Sequence, residues 1–284
     1  MRILCAAAAY PPYAEGGGPV ASESIAKALC ARNHVVRVIT VADGESSEWR
    51  NGVEIKTLSS LNIYWNYWIK QPPVKKAIWH LLENFNPRAF FRMRREIAEF
   101  RPDVVLTLSI ENINVATWIA AWLAGCPCVH MVQSYFLMCW RGSMFSKNKN
   151  CARRCFQCRV ASMGKKLCAR SVRGVTAESL HSLNLHYDNG YFRGVKAKVI
   201  PAAVNSPVTS THRDQQVGDI RVGFIGLLTP NKGIATLAQA ATLLGNDAPF
   251  QYLIAGRGRP EFVQELQALF PSSKTKFLGW TDAA

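Results

Sequence analysis

The sequence contains no apolar run long enough to cross a bilayer. The longest candidate, Trp118–Gly125, ends just before Pro127, whereas a membrane-spanning helix needs about 20 predominantly apolar residues. The amino terminus, MRILCAAAAYPP, continues directly into a patterned unit, which favours a buried first strand over a signal peptide. We therefore expect a cytoplasmic protein without a spanning helix.

Acidic residues are scarce: 19 Asp and Glu stand against 34 Lys and Arg, for a net charge of +15 in 284 residues. None lies between Glu111 and Glu178. Such a field attracts nucleic acid, an anionic membrane surface or phosphate-bearing substrates. A solvated basic face without a specific partner is an equally weighted alternative. The cations of this interval are Arg141, Lys147, Lys149, Arg153, Arg154, Arg159, Lys165, Lys166, Arg170 and Arg173.

Strand and helix patterns alternate through residues 1–205. This alternation predicts a parallel sheet with helices on both faces, an α/β fold. The predicted strands are Ile3–Ala9, Val35–Val41, Val53–Leu58, Arg101–Ser109, Cys128–Val132, Gly174–Ala177 and Ala197–Pro201. The predicted helices are Ser22–Arg32, Arg92–Arg101 and Val115–Leu123.

The polar stretch 206–218 lacks an apolar pattern and is predicted to be a linker. Residues 219–284 then repeat the alternation, with strands at Ile220–Gly226, Phe250–Gly256 and Lys276–Gly279. Helices are predicted at Ile234–Leu244 and Glu261–Phe270. Three strands are few for a free-standing α/β domain. We therefore expect this second doubly wound domain to be incomplete at Ala284.

Aromatic and basic residues interleave in the segment Tyr64–His80. Pro72 and Pro73 are expected to break any helix there. The composition suits a membrane interface or the lip of a ligand site. An aromatic cluster that packs on the domain is the alternative.

These motifs, in this order, resemble the family 4 glycosyltransferases of the GT-B fold. The likeness rests on Pro11-Pro12 followed by Gly16, Gly17 and Gly18, and on FIGLLTPNKGI and YLIAGRG in the second half. The segment SYFLMCWRGSMFSKNKNCARRCFQC is similar to the cysteine-bearing members. The resemblance implies two Rossmann-like domains, of which the second is partial here. It also implies transfer of a sugar from a nucleotide-diphosphate sugar, with retention of configuration and without a required cofactor.

The resemblance assigns roles to residues on both halves. Gly16–Gly18 would let the backbone approach a sugar or phosphate before a helix N-terminus. A tight turn that binds nothing is the alternative for this loop. On the acceptor side, the polar candidates are Gln133 and Arg141. The donor-binding candidates are Gly226, Lys232, Gly233, Gly256 and Arg257.

Four departures from the family pattern bear on activity. Leu227 stands where an Arg is common beside the lysine, so Arg257 or Arg259 would have to substitute for it. Gln133-Ser134 replaces His-Asp; the glutamine can still bond a sugar hydroxyl but carries no charge. Ala202-Ala203 replaces Asn-Gly, and the segment with two glutamates lies beyond Ala284.

The cysteines divide into two groups. Cys5, Cys30, Cys126 and Cys128 lie in apolar contexts typical of buried thiols. Cys151-x3-Cys155-x2-Cys158, with Cys139 or Cys168, could supply four thiolates to a structural zinc ion. Reduced, partly buried thiols are the weightier alternative, because no signal peptide indicates an oxidising compartment.

The leading hypothesis is a glycosyltransferase of surface-polysaccharide synthesis. It would act on a glycan or lipid-linked acceptor, peripherally at an anionic inner membrane face. Two alternatives remain: a non-catalytic remnant or accessory protein that keeps the fold, and a basic membrane- or nucleic-acid-binding protein. Nucleic-acid binding is disfavoured because the sequence contains no recognised nucleic-acid motif.

Overall fold

The computed structural model describes residues 1–14, 16–65, 71–202 and 219–281. The linker prediction at 206–218, Ala203 and part of the Tyr64–His80 segment lie outside these residues. The chain splits into two compact units, Met1–Met144 with Ala152–Ser206, and Phe145–Cys151 with Pro207–Ala284. The predicted domain limits, 1–205 and 219–284, stay predictions.

The first unit alternates strands and helices as the sequence pattern indicates. Its elements are β1 (Arg2–Ala7), α1 (Gly17–Ala31), β2 (Val35–Val41), β3 (Ser46–Arg50), β4 (Val53–Leu58), α2 (Pro73–Leu82), α3 (Pro87–Phe100), β5 (Val104–Ser109), α4 (Ala116–Leu123) and β6 (Cys128–Val132). A two-stranded hairpin, β7 (Phe145–Ser146) and β8 (Lys149–Asn150), groups with the second unit. The first unit continues with α5 (Phe156–Val160), α6 (Met163–Cys168), β9 (Gly174–Ala177), α7 (Leu180–Asp188) and β10 (Lys196–Val199).

The large sheet has the order β10-β9-β6-β5-β1-β2-β4-β3. Every pair is parallel except β3 with β4. The central strands are built largely from small and β-branched residues that are almost fully buried, such as Ala6, Val38 and Val105. Strands of this kind, covered on both faces, are typical of parallel sheets. The predicted α/β class and parallel sheet are confirmed.

Several local features differ from the sequence expectations: α3 begins at Pro87 rather than Arg92, and α5, α6 and α7 were not predicted. Helix α1 begins at Gly17 rather than Ser22, so two of the three glycines lie in its first turn. Pro73 starts helix α2 instead of breaking one, because proline lacks only an N–H that the first turn leaves unpaired anyway. Strand β3, an exposed antiparallel edge strand, was not predicted, because its polar sequence SSEWR lacks an alternating apolar pattern.

The second unit contains a smaller parallel sheet. Its elements are β11 (Ile220–Ile225), α8 (Ile234–Leu244), β12 (Phe250–Ala255), α9 (Pro260–Leu269) and β13 (Thr275–Gly279), with the strand order β11-β12-β13. Its core lies around Ile234, Tyr252 and Leu266. Ile225 and Leu243 are 87% and 89% exposed, which is unusual for such side chains in a doubly wound unit. The described part of the second domain is therefore a partial one.

No helix among the described residues has the length and apolar character needed to cross a bilayer.

Candidate substrate sites

The order of the large sheet reverses at β1, which lies between β2 and β5. The backbone N–H of Ala8, just beyond β1, donates to the carbonyl oxygen of Ser109 at 2.9 Å and to its Oγ at 3.0 Å. In open parallel sheets, ligands bind beyond the carboxyl ends of the strands where the order reverses. The loops after β1, β5 and β6 are therefore the candidate binding edge of the first unit.

The three glycines after β1 have different backbone requirements. Gly16 precedes α1 with φ of 122°, a conformation that favours glycine. A Cβ atom on Gly17 or Gly18 would meet nothing within 4 Å, so packing does not require glycine at either position. All three are exposed, and among the residues that the structure describes no side chain caps this end of the helix. The uncovered N–H groups of the first turn suit an anionic or polar ligand.

A cavity of about 450 Å³ lies between α2 and the loops that follow β5 and β6. Aromatic rings form much of its wall. The Tyr64 and Trp79 rings stack with centroids 5.7 Å apart, and His80 meets Trp140 edge-on at 5.2 Å. The guanidinium of Arg141 lies 4.8 Å from the centroid of the Trp140 ring. An aromatic wall with a few polar groups is typical of small-molecule sites.

Two polar side chains meet inside this cavity, at the ends of β5 and β6. Ser134 Oγ donates to Glu111 Oε1 at 2.5 Å, and the backbone N–H of Phe136 donates to Ser134 Oγ at 3.2 Å. Glu111 was not among the predicted site residues. Its position as the last acid before the carboxylate-free stretch was a usable signal that the sequence interpretation left unused.

Gln133 lies beside this pair but is half-buried. Among the described residues its Nε2 reaches only the Met131 sulfur, at 3.9 Å, and its Oε1 is buried with no hydrogen-bond partner there. A buried amide oxygen that lacks a donor is unusual in a folded protein. The structure thus brings Gln133 and Arg141 to one edge of the sheet. Their role on the acceptor side remains a prediction.

Two buried ionisable groups lie behind the aromatic wall. Burial raises the pKa of Glu83 to about 7 and lowers the pKa of Lys165 to about 8. Lys165 Nζ donates to the carbonyl oxygen of Phe136 at 3.1 Å and lies 3.4 Å from its ring centroid. Burial, followed by the positive charges of Lys165 and Lys76, lowers the pKa of His80 to about 4. His80 is therefore neutral at pH 7.

In the second unit, Gly256 and Gly258 are required by close backbone approach. A Cβ atom on Gly256 would lie 1.8 Å from the carbonyl oxygen of Gly226, and one on Gly258 would lie 2.4 Å from that of Leu228. Leu228 N–H also donates to the carbonyl oxygen of Arg257 at 2.8 Å. These glycines hold together the two loops that follow β11 and β12.

The predicted donor residues of the second unit follow the carboxyl ends of those strands. Lys232 is exposed and precedes Gly233, which has φ of 80° and caps α8. Arg257 is exposed and lies 4.5 Å from the centroid of the Trp280 ring. Because β11 and β12 are parallel, both cations belong to the same edge of the small sheet. Their donor-binding role remains a prediction.

The cysteines are all reduced. Cys139, Cys158 and Cys168 are buried, Cys151 is partly buried and Cys155 is exposed. Within the described ranges, no three His, Cys, Asp or Glu side chains are grouped so as to hold a metal ion. The zinc site suggested by the Cys-x2-Cys spacing therefore gains no support from this geometry and stays a prediction.

Comparison with known proteins places these features in a family. A family model described as a glycosyl transferase 4-like domain matches residues 16–203. An uncharacterised 42.6 kDa protein in the cps region of Klebsiella pneumoniae is 27% identical over 246 residues, covering 86% of this chain and 65% of that protein. The chain thus spans just under two thirds of the length of this curated relative.

Solved structures share the fold at low sequence identity. Anabaena HepE, crystallised with UDP, superposes with a TM-score of 0.64 at 18% identity, over 99% of this chain and 70% of that one. The lipopolysaccharide outer core galactosyltransferase WaaB superposes with a TM-score of 0.57 at 12% identity, over 100% and 69%. These likenesses confirm the predicted GT-B type of fold. The family match, which covers most of the first unit and its binding edge, shows that the chain belongs to the glycosyl transferase 4-like family.

Proposed function

We propose that this protein transfers a sugar from a UDP-sugar to a glycan or lipid-linked acceptor, with retention of configuration, in surface-polysaccharide synthesis. The observation that carries the proposal is the aromatic cavity with its Glu111–Ser134 pair, at the edge of the sheet where this fold binds ligands. The UDP bound to HepE supports the nucleotide, and the cps region of the Klebsiella relative supports the pathway class.

In this proposal the second unit binds the donor diphosphate. Negative charge develops on the leaving UDP as the glycosidic bond breaks, and positive groups held in place lower the energy of that state. Lys232 and Arg257 supply charge, and the N–H groups that open α8 after Gly233 supply oriented dipoles. As the family resemblance implies, no further cofactor is required.

The first unit binds the acceptor in the same proposal. A sugar ring presents C–H groups that pack on aromatic faces, and the cavity offers Trp79 and Trp140. Glu111 accepts a hydroxyl hydrogen, and Gln133, whose amide oxygen is buried, lies next to this carboxylate at the same edge. Arg141 suits a phosphate or carboxylate on the acceptor. The protein would work peripherally at an anionic cytoplasmic membrane face.

Calorimetric titration with UDP tests the donor half. We expect saturable binding to the wild-type chain and a loss of about tenfold or more in affinity for Lys232→Ala, the cost of one charge-assisted contact. Lys276→Ala is the matched control, because it removes an exposed positive charge from β13 of the same unit. Equal affinity in all three proteins would remove Lys232 from the donor site.

A transfer assay tests the complete reaction. Wild-type protein incubated with UDP-glucose and an acceptor should release UDP, and the anomeric configuration of the product, read by NMR, should match that of the donor. Inverted configuration would contradict the retaining mechanism while leaving the transferase assignment intact.

A further inference from the structure

An exposed apolar stripe runs along α5 and α6. Phe156 is 80% exposed, Val160 51%, Met163 65% and Leu167 59%. Within each short helix the two exposed side chains, Phe156 and Val160 on α5 and Met163 and Leu167 on α6, have the i, i+4 spacing of one helical face. The opposite positions are Cys158, Ser162, Lys165 and Cys168, which are buried. This segment is therefore amphipathic with large apolar side chains toward solvent, the reverse of a helix that simply covers a core.

Helix α2 presents a second stripe of the same kind. Val74, Ile78 and Leu81 are 71%, 46% and 70% exposed, and they recur at helical spacing. The chain just beyond α2 packs against α6. The Gly164 N–H donates to Asn84 Oδ1 at 2.9 Å. The two stripes thus belong to neighbouring elements of the first unit; together they are called the apolar face.

Positive side chains accompany both stripes. On α5, α6 and their flanks the exposed cations are Arg153, Arg159, Lys166 and Arg170, and on α2 they are Lys75 and Lys76. A concave pocket of about 440 Å³ at the C-terminal end of α6 is lined by Lys166, Arg170 and Arg193, and its lining includes no carboxylate within the described ranges. The sequence has no Asp or Glu from 112 to 177, so α5, α6 and the loops around them carry only positive charge.

We propose that this face, made of α2, α5 and α6, docks on an anionic lipid bilayer. Water-exposed apolar side chains in this number mark an interaction surface. An apolar stripe bordered by cations matches an anionic leaflet. The apolar side chains would contact the acyl chains, and the cations would contact the anionic headgroups above them. The basic pocket at the C-terminal end of α6 receives a headgroup phosphate.

Docking in this orientation specifies the acceptor, an extension that rests on the proposed function. Two opposite faces of helix α2 have different surroundings. One face carries Lys76, Trp79 and His80, which line the aromatic cavity. The other carries Val74, Ile78 and Leu81, which are exposed to solvent. The cavity therefore lies across α2 from the docked surface, one helix diameter (~10 Å) away and within reach of a glycan anchored in the bilayer. Its acceptor is a lipid-linked glycan whose sugar enters the aromatic cavity and whose phosphate meets Lys76.

Vesicle co-sedimentation tests the docking face. The intact chain is mixed with vesicles of phosphatidylcholine alone or of phosphatidylcholine with phosphatidylglycerol. We expect binding to the anionic vesicles, weakening as salt rises, and much less binding to the neutral ones. The double variant Phe156→Glu/Leu167→Glu should lose at least about tenfold in partition, since two large apolar side chains leave the lipid. Val74→Glu/Leu81→Glu should behave alike.

Trp49→Glu is the matched control, because Trp49 on β3 is 69% exposed and lies outside the face. It should bind vesicles like the wild-type chain. Circular dichroism and UDP calorimetry on every variant separate docking from folding and from donor binding. Wild-type binding that is equal on both vesicle types, absent from both, or unchanged in the two double variants would overturn the proposal. UDP affinity, on which the proposed function depends, is measured separately and does not depend on any of these results.

Discussion

Ser134 and Glu111 share a hydrogen bond of 2.5 Å between the ends of two adjacent parallel strands, β6 and β5. The hydroxyl donates to the carboxylate and accepts the backbone N–H of Phe136, so it orients the carboxylate toward the aromatic cavity. A carboxylate that must accept a hydroxyl hydrogen from a sugar benefits from such a fixed direction.

Ser134→Ala should therefore weaken acceptor use. We expect kcat/KM for the acceptor to fall about tenfold, because one hydrogen bond to a charged group is lost, while the affinity for UDP stays unchanged. Steady-state kinetics with varied acceptor and calorimetry with UDP measure the two effects separately. A fall in UDP affinity of the same size would place Ser134 in the donor site instead.

The glycines that open α1 allow a test of ligand approach without a change in folding. Gly17→Ala and Gly18→Ala introduce a Cβ into open space in the first turn of a helix. The free energy of unfolding should be unchanged or should rise by up to about 1 kcal/mol, because alanine favours a helix over glycine by about that amount. Transfer activity should fall if a substrate lies against this backbone.

Gly16→Ala is the informative contrast, because φ of 122° strains any other residue. It should lower the free energy of unfolding by about 1–3 kcal/mol. Full activity in both Gly17→Ala and Gly18→Ala would show that the loop is only a turn.

The small sheet should not tolerate a methyl group at Gly256. A Cβ there would overlap the carbonyl oxygen of Gly226, and neither backbone segment can move without breaking the pairing of β11 with β12. We expect Gly256→Ala to destabilise the protein by about 3 kcal/mol or more, measured by denaturant unfolding. Gly223→Ala, within β11, meets nothing within 4 Å and should be nearly neutral.

Glu83 makes stability depend on pH. Its folded-state pKa of about 7 lies above the value near 4.3 of an exposed glutamate. Between these values the folded protein keeps a proton that the unfolded chain has lost. The free energy of unfolding should therefore decline as pH rises through this window and level off above about pH 7.

Glu83→Gln removes the titrating group and keeps the side-chain shape. Between pH 5 and 8 the variant should lack this decline, a difference on the order of 1–3 kcal/mol by chemical denaturation. Parallel curves for the two proteins would contradict the raised pKa.

Cys155 should be the most reactive thiol of the cluster. It is exposed, and hydrogen bonds from the backbone N–H and the side chain of Cys158 lower its pKa, whereas burial raises the pKa of Cys158 to about 12. Iodoacetamide should label Cys155 first, as followed by peptide mass spectrometry. Slow labelling that a zinc chelator accelerates would instead support the predicted zinc site.

Much of the fold follows from local patterns. Three strands coincide with their predicted bounds: Val35–Val41, Val53–Leu58 and Cys128–Val132. Short β-branched or apolar runs between turns are typical of buried strands and are too short for most helices. The helix Ile234–Leu244 also coincides. The start of α1 was misplaced because glycine disfavours a helix locally, and here a first turn forms against that preference.

The sequence by itself determined the α/β alternation, the family and the positive charge of residues 112–177, since each is carried by residues close together in the chain. Only the tertiary structure brought Glu111 to Ser134, buried Lys165 and Glu83 behind an aromatic wall, and turned Phe156 and Leu167 toward solvent. Those relationships join residues up to about eighty positions apart. Whether a lysine is buried or a phenylalanine exposed depends on what packs against each helix, and no local pattern specifies that.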